Sequence, residues 1–180
     1  MQDARIRIWD PLVRVFHWSL ALSILFAWIS AEGWGRWHEW IGYAALALVA
    51  VRLIWGLVGS RYARFAAFLR GPAATMAYAR SVLAHRDRRY LGHNPLGGWM
   101  IIALLVMVTL TGFTGWLYTT DAYWGVEWVE DVHEGCANTL LFLIGLHVAG
   151  VVLTSWRHGE NLVAAMWHGR KRPAGVDDII

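Results

Sequence analysis

Eight histidines occur in the chain, and four of them lie inside or at the edge of long apolar stretches. These four are His17, His38, His133 and His147. Imidazole ligates transition metals and also exchanges protons near neutral pH. Ionisable side chains among apolar residues are costly unless they serve a site. The residue types therefore predict metal ligation, proton relay or hydrogen bonding between helices as the chemistry of these positions.

Among these alternatives, the spacing of His133 and His147 favours metal ligation. The two residues are 14 positions apart, which along an α-helix is about 21 Å and about 40° short of four full turns. One helix would therefore present two ligands on one face, at two well-separated depths.

Four apolar stretches carry these residues, and each is close to the ~20 residues that cross a bilayer as a helix. They comprise residues 12–30, 37–58, 97–118 and 132–156. With 57% hydrophobic and 16% charged residues among 180, the chain is too apolar for an ordinary soluble domain. We predict an all-α membrane protein, one four-helix transmembrane domain over residues 1–180. The first stretch has no convincing small-residue cleavage site, so it is predicted to be a retained span.

The basic residues lie almost entirely on one predicted side of the membrane. Fourteen of the 16 fall in the N-terminal segment, in the loop 60–93 or in the C-terminal tail. Because Lys and Arg in short flanking segments resist translocation, both termini and this loop are predicted to be cytoplasmic. Topology accounts for the basic charge, so no nucleic-acid partner is expected. Residues 72–85 are predicted to form a short helix at the membrane surface.

This orientation sets the depth of each histidine. The second and fourth stretches both run inward from the outer surface and carry His38 and His133 in their first turns. His17 and His147 lie about 8 and 14 Å from the inner ends of their stretches, at 1.5 Å per residue. Two pairs at matched depth result, one inner and one outer.

Two nitrogen ligands from different helices at one depth suit a haem iron, whose axial ligands approach opposite faces of a planar macrocycle. The depths predict an inner haem on His17 and His147 and an outer haem on His38 and His133. Iron with both axial positions filled has no open position for oxygen or a substrate. Electron transfer is therefore the predicted chemistry, and a transporter that relays protons through the histidines is the alternative.

Arg52 and Asn94 are predicted to contact the cofactor. Arg52 follows His38 by 14 residues, which places it on the same helix face and level with the inner pair. A buried arginine needs an anion, and an inner haem propionate would supply one. The alternative is that its side chain extends to lipid phosphates. His93 and Asn94 lie beside a span, where contact with an inner propionate or a quinone competes with helix capping.

Several ordered motifs resemble one known family. They are WDPLVRVFHW (Trp9–Trp18), HEWIGY (His38–Tyr43), RLIWG (Arg52–Gly56), GHNPLGG (Gly92–Gly98), VHE (Val132–Glu134) and LHVAG (Leu146–Gly150). Together they resemble bacterial di-haem cytochrome b561, which is similar to the cytochrome b subunit of membrane-bound nickel–iron hydrogenases. The resemblance covers essentially residues 6–172.

The resemblance implies a four-helix bundle in the bacterial cytoplasmic membrane. It also implies two haem b groups on the same four histidines and electron transfer linked to a quinone pool. Membrane lipid and a quinone substrate are the implied partners. A haem-bearing membrane anchor of a hydrogenase-like or other oxidoreductase complex is the alternative role.

The predicted outer face is acidic and aromatic. Its loop and helix start contain Asp121, Tyr123, Trp124, Glu127, Trp128, Glu130 and Asp131. An acidic patch with aromatic contacts suits a basic soluble electron carrier such as a c-type cytochrome. The alternative is that these residues only obey membrane topology and anchor the helix ends at the interface.

Overall fold

The computed structural model describes residues 5–33 and 35–179, and this part of the chain is mostly helical. In chain order the elements are β1 (Ile6–Arg7), α1 (Pro11–Ser30), α2 (Arg36–Val58), α3 (Phe65–Phe68), α4 (Pro72–Leu83), α5 (Pro95–Tyr118), α6 (Glu127–His158), α7 (Leu162–His168) and β2 (Arg170–Lys171). Among the described residues, four helices, α1, α2, α5 and α6, are long and apolar enough to cross a membrane. The prediction of four apolar spanning helices is confirmed.

The four long helices keep most of their apolar side chains on the surface. Leu22, Phe26, Phe142 and Val152, for example, are each about half exposed or more. A helix that is apolar all round belongs in a large core or in a membrane. The surface of these helices therefore fits lipid better than water.

α6 begins five residues before the predicted start of the fourth stretch. Its first turn contains Glu127 and Glu130, and its last turn contains Arg157 and His158. Carboxylates near a helix N-terminus and cations near a C-terminus interact favourably with the helix dipole. The polar ends therefore extend the helix beyond the apolar stretch, to 32 residues.

α4 matches the helix predicted for residues 72–85, and it ends two residues earlier. Pro72 occupies the first turn, where the missing N–H costs no hydrogen bond. The helix stops before His85, whose φ of 56° lies in the left-handed region.

The described residues form two compact units. The first unit comprises residues 5–14, 54–101 and 146–179 and includes α3, α4, α7 and both strands. The second unit comprises residues 15–53, apart from residue 34, and 102–145.

In the first unit, a two-stranded antiparallel sheet joins the N-terminal segment to the C-terminal tail. Gly169 lies between α7 and β2 with a φ of 82°. Its carbonyl accepts hydrogen bonds from the backbone N–H groups of Ile8 and Trp9, at 2.9 and 3.1 Å. Ile8 and Trp9 pack with Leu91 in a buried apolar cluster. The turn at Gly169 thus fixes the position of β1.

A buried ionic network also stabilises the first unit. Arg89 contacts both Glu160, at 2.7 Å, and Asp178, and Lys171 lies 3.8 Å from Glu160. Burial lowers the pKa of Lys171 to about 8, although the Glu160 carboxylate opposes this shift. Burial alone would raise the pKa of Glu160, but the hydrogen bond from Arg89 holds it below its usual value. The acidic side chains of this network are therefore ionised and already engaged.

Candidate metal centre

Two of the predicted ligands, His38 and His133, lie side by side in the second unit. His38 is in the first turn of α2, and His133 is in the second turn of α6. Their ring centroids are 6.1 Å apart, and the ring planes make an angle of 82°. Two helices thus bring one imidazole each into a close pair.

Hydrogen bonds to the backbone set the tautomer of both rings. The Nδ1 atom of His38 lies 3.0 Å from the carbonyl oxygen of Ala27. The Nδ1 atom of His133 lies 3.0 Å from the carbonyl oxygen of Thr111. A carbonyl oxygen can only accept, so Nδ1 carries the proton in each ring and donates it. Nε2 is left with its lone pair, which is the state that ligates a metal.

A side-chain hydroxyl group also lies close to the Nδ1 atom of each ring. The Oγ atom of Ser30 lies 3.3 Å from Nδ1 of His38, and Oγ1 of Thr114 lies 3.2 Å from Nδ1 of His133. Both hydroxyl residues are buried. Sequence reasoning missed Ser30 and Thr114, since small hydroxyl residues are common in spanning helices and usually bond to their own backbone.

The pair fits a haem iron by distance. Imidazole–metal bonds of about 2.0 Å on opposite sides of one ion separate two ring centres by about 6 Å. The observed separation is 6.1 Å. The same distance and tautomers suit the two axial positions of haem iron, whose equatorial nitrogens come from the macrocycle.

Two glycines of α5 allow close packing in the second unit. A Cβ atom on Gly115 would lie 3.0 Å from Cε1 of His133. A Cβ atom on Gly112 would lie 2.6 Å from the side chain of Leu46 on α2. A larger residue at position 115 would therefore press on the His133 ring, and one at position 112 would displace the side chain of Leu46.

The other predicted ligands, His17 and His147, lie in different units. His17 is on α1, and its ring lies edge-on to the indole of Trp18, with the centroids 5.1 Å apart. His147 is half-buried on α6. Their assignment to an inner haem stays a prediction.

Arg52 is buried in the second unit. Only 3% of its surface is exposed, whereas its neighbours Val51 and Leu53 on α2 are nearly half exposed. A guanidinium that extended to lipid phosphates would lie on the surface of the protein. Burial therefore argues against the lipid alternative, and the contact of Arg52 with an inner propionate stays a prediction.

Asn94 and His93 lie at the start of α5 in the first unit. The Oδ1 atom of Asn94 accepts a hydrogen bond from the backbone N–H of Gly97, at 2.7 Å. Asn94 thus caps α5, as the capping alternative predicted. The ring of His93 lies between Trp9 and Phe68, with centroid distances of 4.5 and 4.8 Å. The predicted contact of Asn94 with a cofactor stays a prediction.

A cavity of about 220 Å³ lies beside His93 in the same unit. Its polar lining includes Arg61, Tyr62, Arg70 and Tyr90. Phe68 supplies an apolar wall. The lining thus combines ring faces with hydrogen-bond donors, as sites for flat organic molecules usually do.

The predicted acidic and aromatic residues lie close together in the second unit, between α5 and the first turns of α6. Tyr118 donates a hydrogen bond to Glu130, at 3.0 Å, and its ring stacks on Trp124. Trp124 and Trp128 are 70% and 55% exposed. We call Asp121, Tyr123, Trp124, Glu127, Trp128, Glu130 and Asp131 the acidic face. These acids are exposed, so they are available to a partner.

A comparison with protein families gives one match. The family model described as prokaryotic cytochrome b561 matches residues 8–169. No curated protein and no solved structure matches the chain. The matched segment includes all four intramembrane histidines, Arg52 and Asn94.

Proposed function

Because the chain belongs to the prokaryotic cytochrome b561 family, which consists of haem-bearing membrane proteins of transmembrane electron transfer, we propose that it carries two b-type haems. The electrons would pass between a quinone pool and a redox partner. The observation that carries the proposal is the geometry of His38 and His133, with ring centroids 6.1 Å apart and both Nδ1 atoms hydrogen-bonded to backbone carbonyls.

His38 and His133 would hold the outer haem, and His17 and His147 the inner one. Bound haem supplies one-electron redox chemistry. The carbonyl groups of residues 27 and 111 orient the two outer rings, and hydrogen bonds of this kind make the ligating nitrogen more basic. Two histidines on each iron would leave no position for a substrate, so the haems would supply electron transfer rather than group transfer.

The orientation with both termini in the cytoplasm rests on charge. Fourteen of the 16 Lys and Arg residues lie in the N-terminal segment, in the loop 60–93 or in the C-terminal tail, whereas the acidic face lies in the segment that joins α5 to α6 and in the first turns of α6. Segments rich in arginine stay on the cytoplasmic side during insertion. In a bacterium this membrane would be the cytoplasmic one.

A quinol head group would occupy the cavity beside His93. Its ring would lie against Phe68, and its two oxygens require hydrogen-bond partners of the kind that Tyr62 and Arg61 provide. Oxidation of a quinol also releases protons, and a histidine can accept one near neutral pH.

The purified protein should contain about two haem b per chain, as measured by a pyridine haemochrome assay, and a quinol should reduce it in anaerobic stopped flow. Tyr62→Phe removes one hydroxyl from the cavity and leaves the ring in place. It should slow reduction by about tenfold if that hydroxyl binds the quinol.

Tyr78→Phe is the matched control, because Tyr78 is buried in the same unit and is absent from the cavity lining. A protein without visible absorption would favour the proton-relay transporter. A soluble enzyme that copurifies in a fixed ratio would favour the membrane-anchor role. Equal rates for both tyrosine variants would place the quinol elsewhere.

The partner on the acidic face would be a basic soluble carrier such as a c-type cytochrome. Exposed carboxylates attract a cationic protein over a distance of about 8–10 Å at physiological salt. The exposed indoles of Trp124 and Trp128 offer flat contacts for a transient complex.

Oxidation of the reduced protein by a cationic cytochrome c should therefore slow as ionic strength rises. The triple change Glu127→Gln, Glu130→Gln and Asp131→Asn should slow it by about tenfold at low salt. Glu32→Gln, which removes an exposed acid outside the acidic face, should leave the rate close to that of the unchanged protein. Stopped-flow rates that depend neither on salt nor on the triple change would mean that the acids only reflect topology.

A further inference from the structure

Four arginines of the first unit meet in one cleft. Arg5, Arg7, Arg14 and Arg170 line a cavity of about 430 Å³ together with Trp167 and His168. None of the described residues that line it is acidic. We call this cavity the arginine cleft.

Two of these arginines are held opposite each other by the sheet. Arg7 on β1 is the direct partner of Arg170 on β2. Like charges at directly opposite positions destabilise an antiparallel pair. The strands cannot easily slip apart, because the carbonyl of Gly169 fixes Ile8 and Trp9. The fold therefore places two exposed, like-charged residues at directly opposite positions of the strand pair.

The neighbouring carboxylates are engaged elsewhere. Asp10 accepts hydrogen bonds from Trp55, at 3.1 Å, and from Ser60. Glu160 and Asp178 belong to the Arg89 network. Among the described residues, no carboxylate forms an ion pair with any of the three cleft arginines that carry the inference, Arg7, Arg14 and Arg170.

Arg14 is pre-positioned in the cleft. One terminal nitrogen donates to the backbone oxygen of Trp167, and the Cδ atom would lie 3.2 Å from a Cβ atom on Gly169. Its Nε atom is buried and makes no hydrogen bond with the described residues. A buried N–H group without an acceptor is costly, so an acceptor from outside the chain would stabilise this arrangement.

His168 adds one more donor. The backbone N–H of Arg170 donates to its Nδ1 atom at 3.1 Å. In the neutral ring the proton is then on Nε2, which becomes a donor. A tetrahedral anion with several acceptor oxygens matches such a set of guanidinium and imidazole donors, because arginine forks bind phosphate with two hydrogen bonds.

We propose that the arginine cleft binds a phosphate group through Arg7, Arg14 and Arg170. The phosphate would belong either to the head group of an anionic phospholipid or to a soluble phosphate ester. Trp167, which is 68% exposed at the end of α7, gives the cleft an aromatic edge of the kind found at the level of lipid head groups. The inference does not depend on the electron-transfer function.

The test compares three proteins: the unchanged protein, a cleft variant with both Arg7→Gln and Arg170→Gln, and a matched control with both Arg64→Gln and Arg86→Gln. The control removes two exposed arginines of the loop 60–93 that do not line the cleft. Each protein is placed in nanodiscs of phosphatidylcholine with or without phosphatidylglycerol, and retained lipid is counted by native mass spectrometry. A parallel titration in detergent uses glycerol 3-phosphate and follows the melting temperature.

The unchanged protein and the control should retain phosphatidylglycerol, and the cleft variant should bind it at least about tenfold more weakly. Glycerol 3-phosphate without effect on melting would identify a lipid head group. Stabilisation by glycerol 3-phosphate that only the cleft variant loses would identify a soluble ester. Equal retention by all three proteins with no response to glycerol 3-phosphate, or equal losses in both variants, would overturn the proposal.

A charge-reversal variant tests whether the cleft variant loses phosphate binding only because it fails to fold. Arg170→Glu gives Arg7 a carboxylate partner across the strand pair and so replaces the anion from outside. In a neutral detergent this variant should melt at or above the temperature of the unchanged protein, yet no longer respond to either phosphate ligand. A lower melting temperature with an unchanged phosphate response would contradict the proposed role of the Arg7–Arg170 pair.

Discussion

Replacement of His38 or His133 by alanine should lower the haem content from about two to about one per chain, because each iron would lose one axial ligand. The same haem should disappear in both variants, since the centroids of the two rings are 6.1 Å apart, close enough for one iron to bind both. His17→Ala and His147→Ala should each remove the other haem. Pyridine haemochrome assays and low-temperature spectra of the four purified variants check this expectation.

His85→Ala is the matched control for the four ligand variants. His85 is exposed in the turn after α4, and it should keep both haems. Thr114→Val tests the hydroxyl beside His133 without removing the carbonyl partner of its Nδ1 atom. It should retain both haems with a small change in the potential of the outer one. Four histidine variants that all keep two haems would contradict the assignment.

The pairing of His38 with His133 could be predicted from sequence because the helix rise is fixed. Counting residues from each end of an apolar stretch gives a depth within a turn or so. The two residues lie in the first and second turns of helices α2 and α6, and the structure brings their rings together. Depth is a one-dimensional property, which is why sequence alone could supply it.

The partners of the Nδ1 atoms could not be predicted in the same way. They are the backbone carbonyls of Ala27 and Thr111, and every residue has such a carbonyl. Which one faces an imidazole depends on how far each helix is rotated about its axis, and that rotation follows from packing of many side chains. Ser30 and Thr114 therefore gave no distinct signal.

The two-stranded sheet of the first unit could not be predicted from the sequence either. β1 and β2 have two residues each and lie near opposite ends of the chain. Two residues cannot show the alternation that predicts a strand. The pairing of Arg7 with Arg170 therefore became visible only in the structure. The same holds for the arginine cleft that these residues line.

Arg52→Leu should lower the midpoint potential of the inner haem by on the order of 100 mV, the effect of one charge at several ångströms in a medium of intermediate polarity. The sign follows from charge. Ferric haem carries one more positive charge than ferrous haem, so loss of a nearby cation stabilises the oxidised form and lowers the potential. The burial of Arg52, at 3% exposure, supports a position inside the protein rather than at its surface. A spectroelectrochemical titration measures both haems at once.

Two further variants separate charge from packing. Arg52→Lys keeps the cation and should restore most of the potential, whereas Arg64→Gln removes an exposed arginine of the loop and should leave both potentials unchanged. The inner haem is identified as the one that His17→Ala removes, so the titration does not rely on an assumed assignment. A rise in potential would give the wrong sign for a lost cation, and a shift confined to the outer haem would put Arg52 at the wrong depth. Either result would contradict the predicted contact of Arg52 with an inner haem propionate.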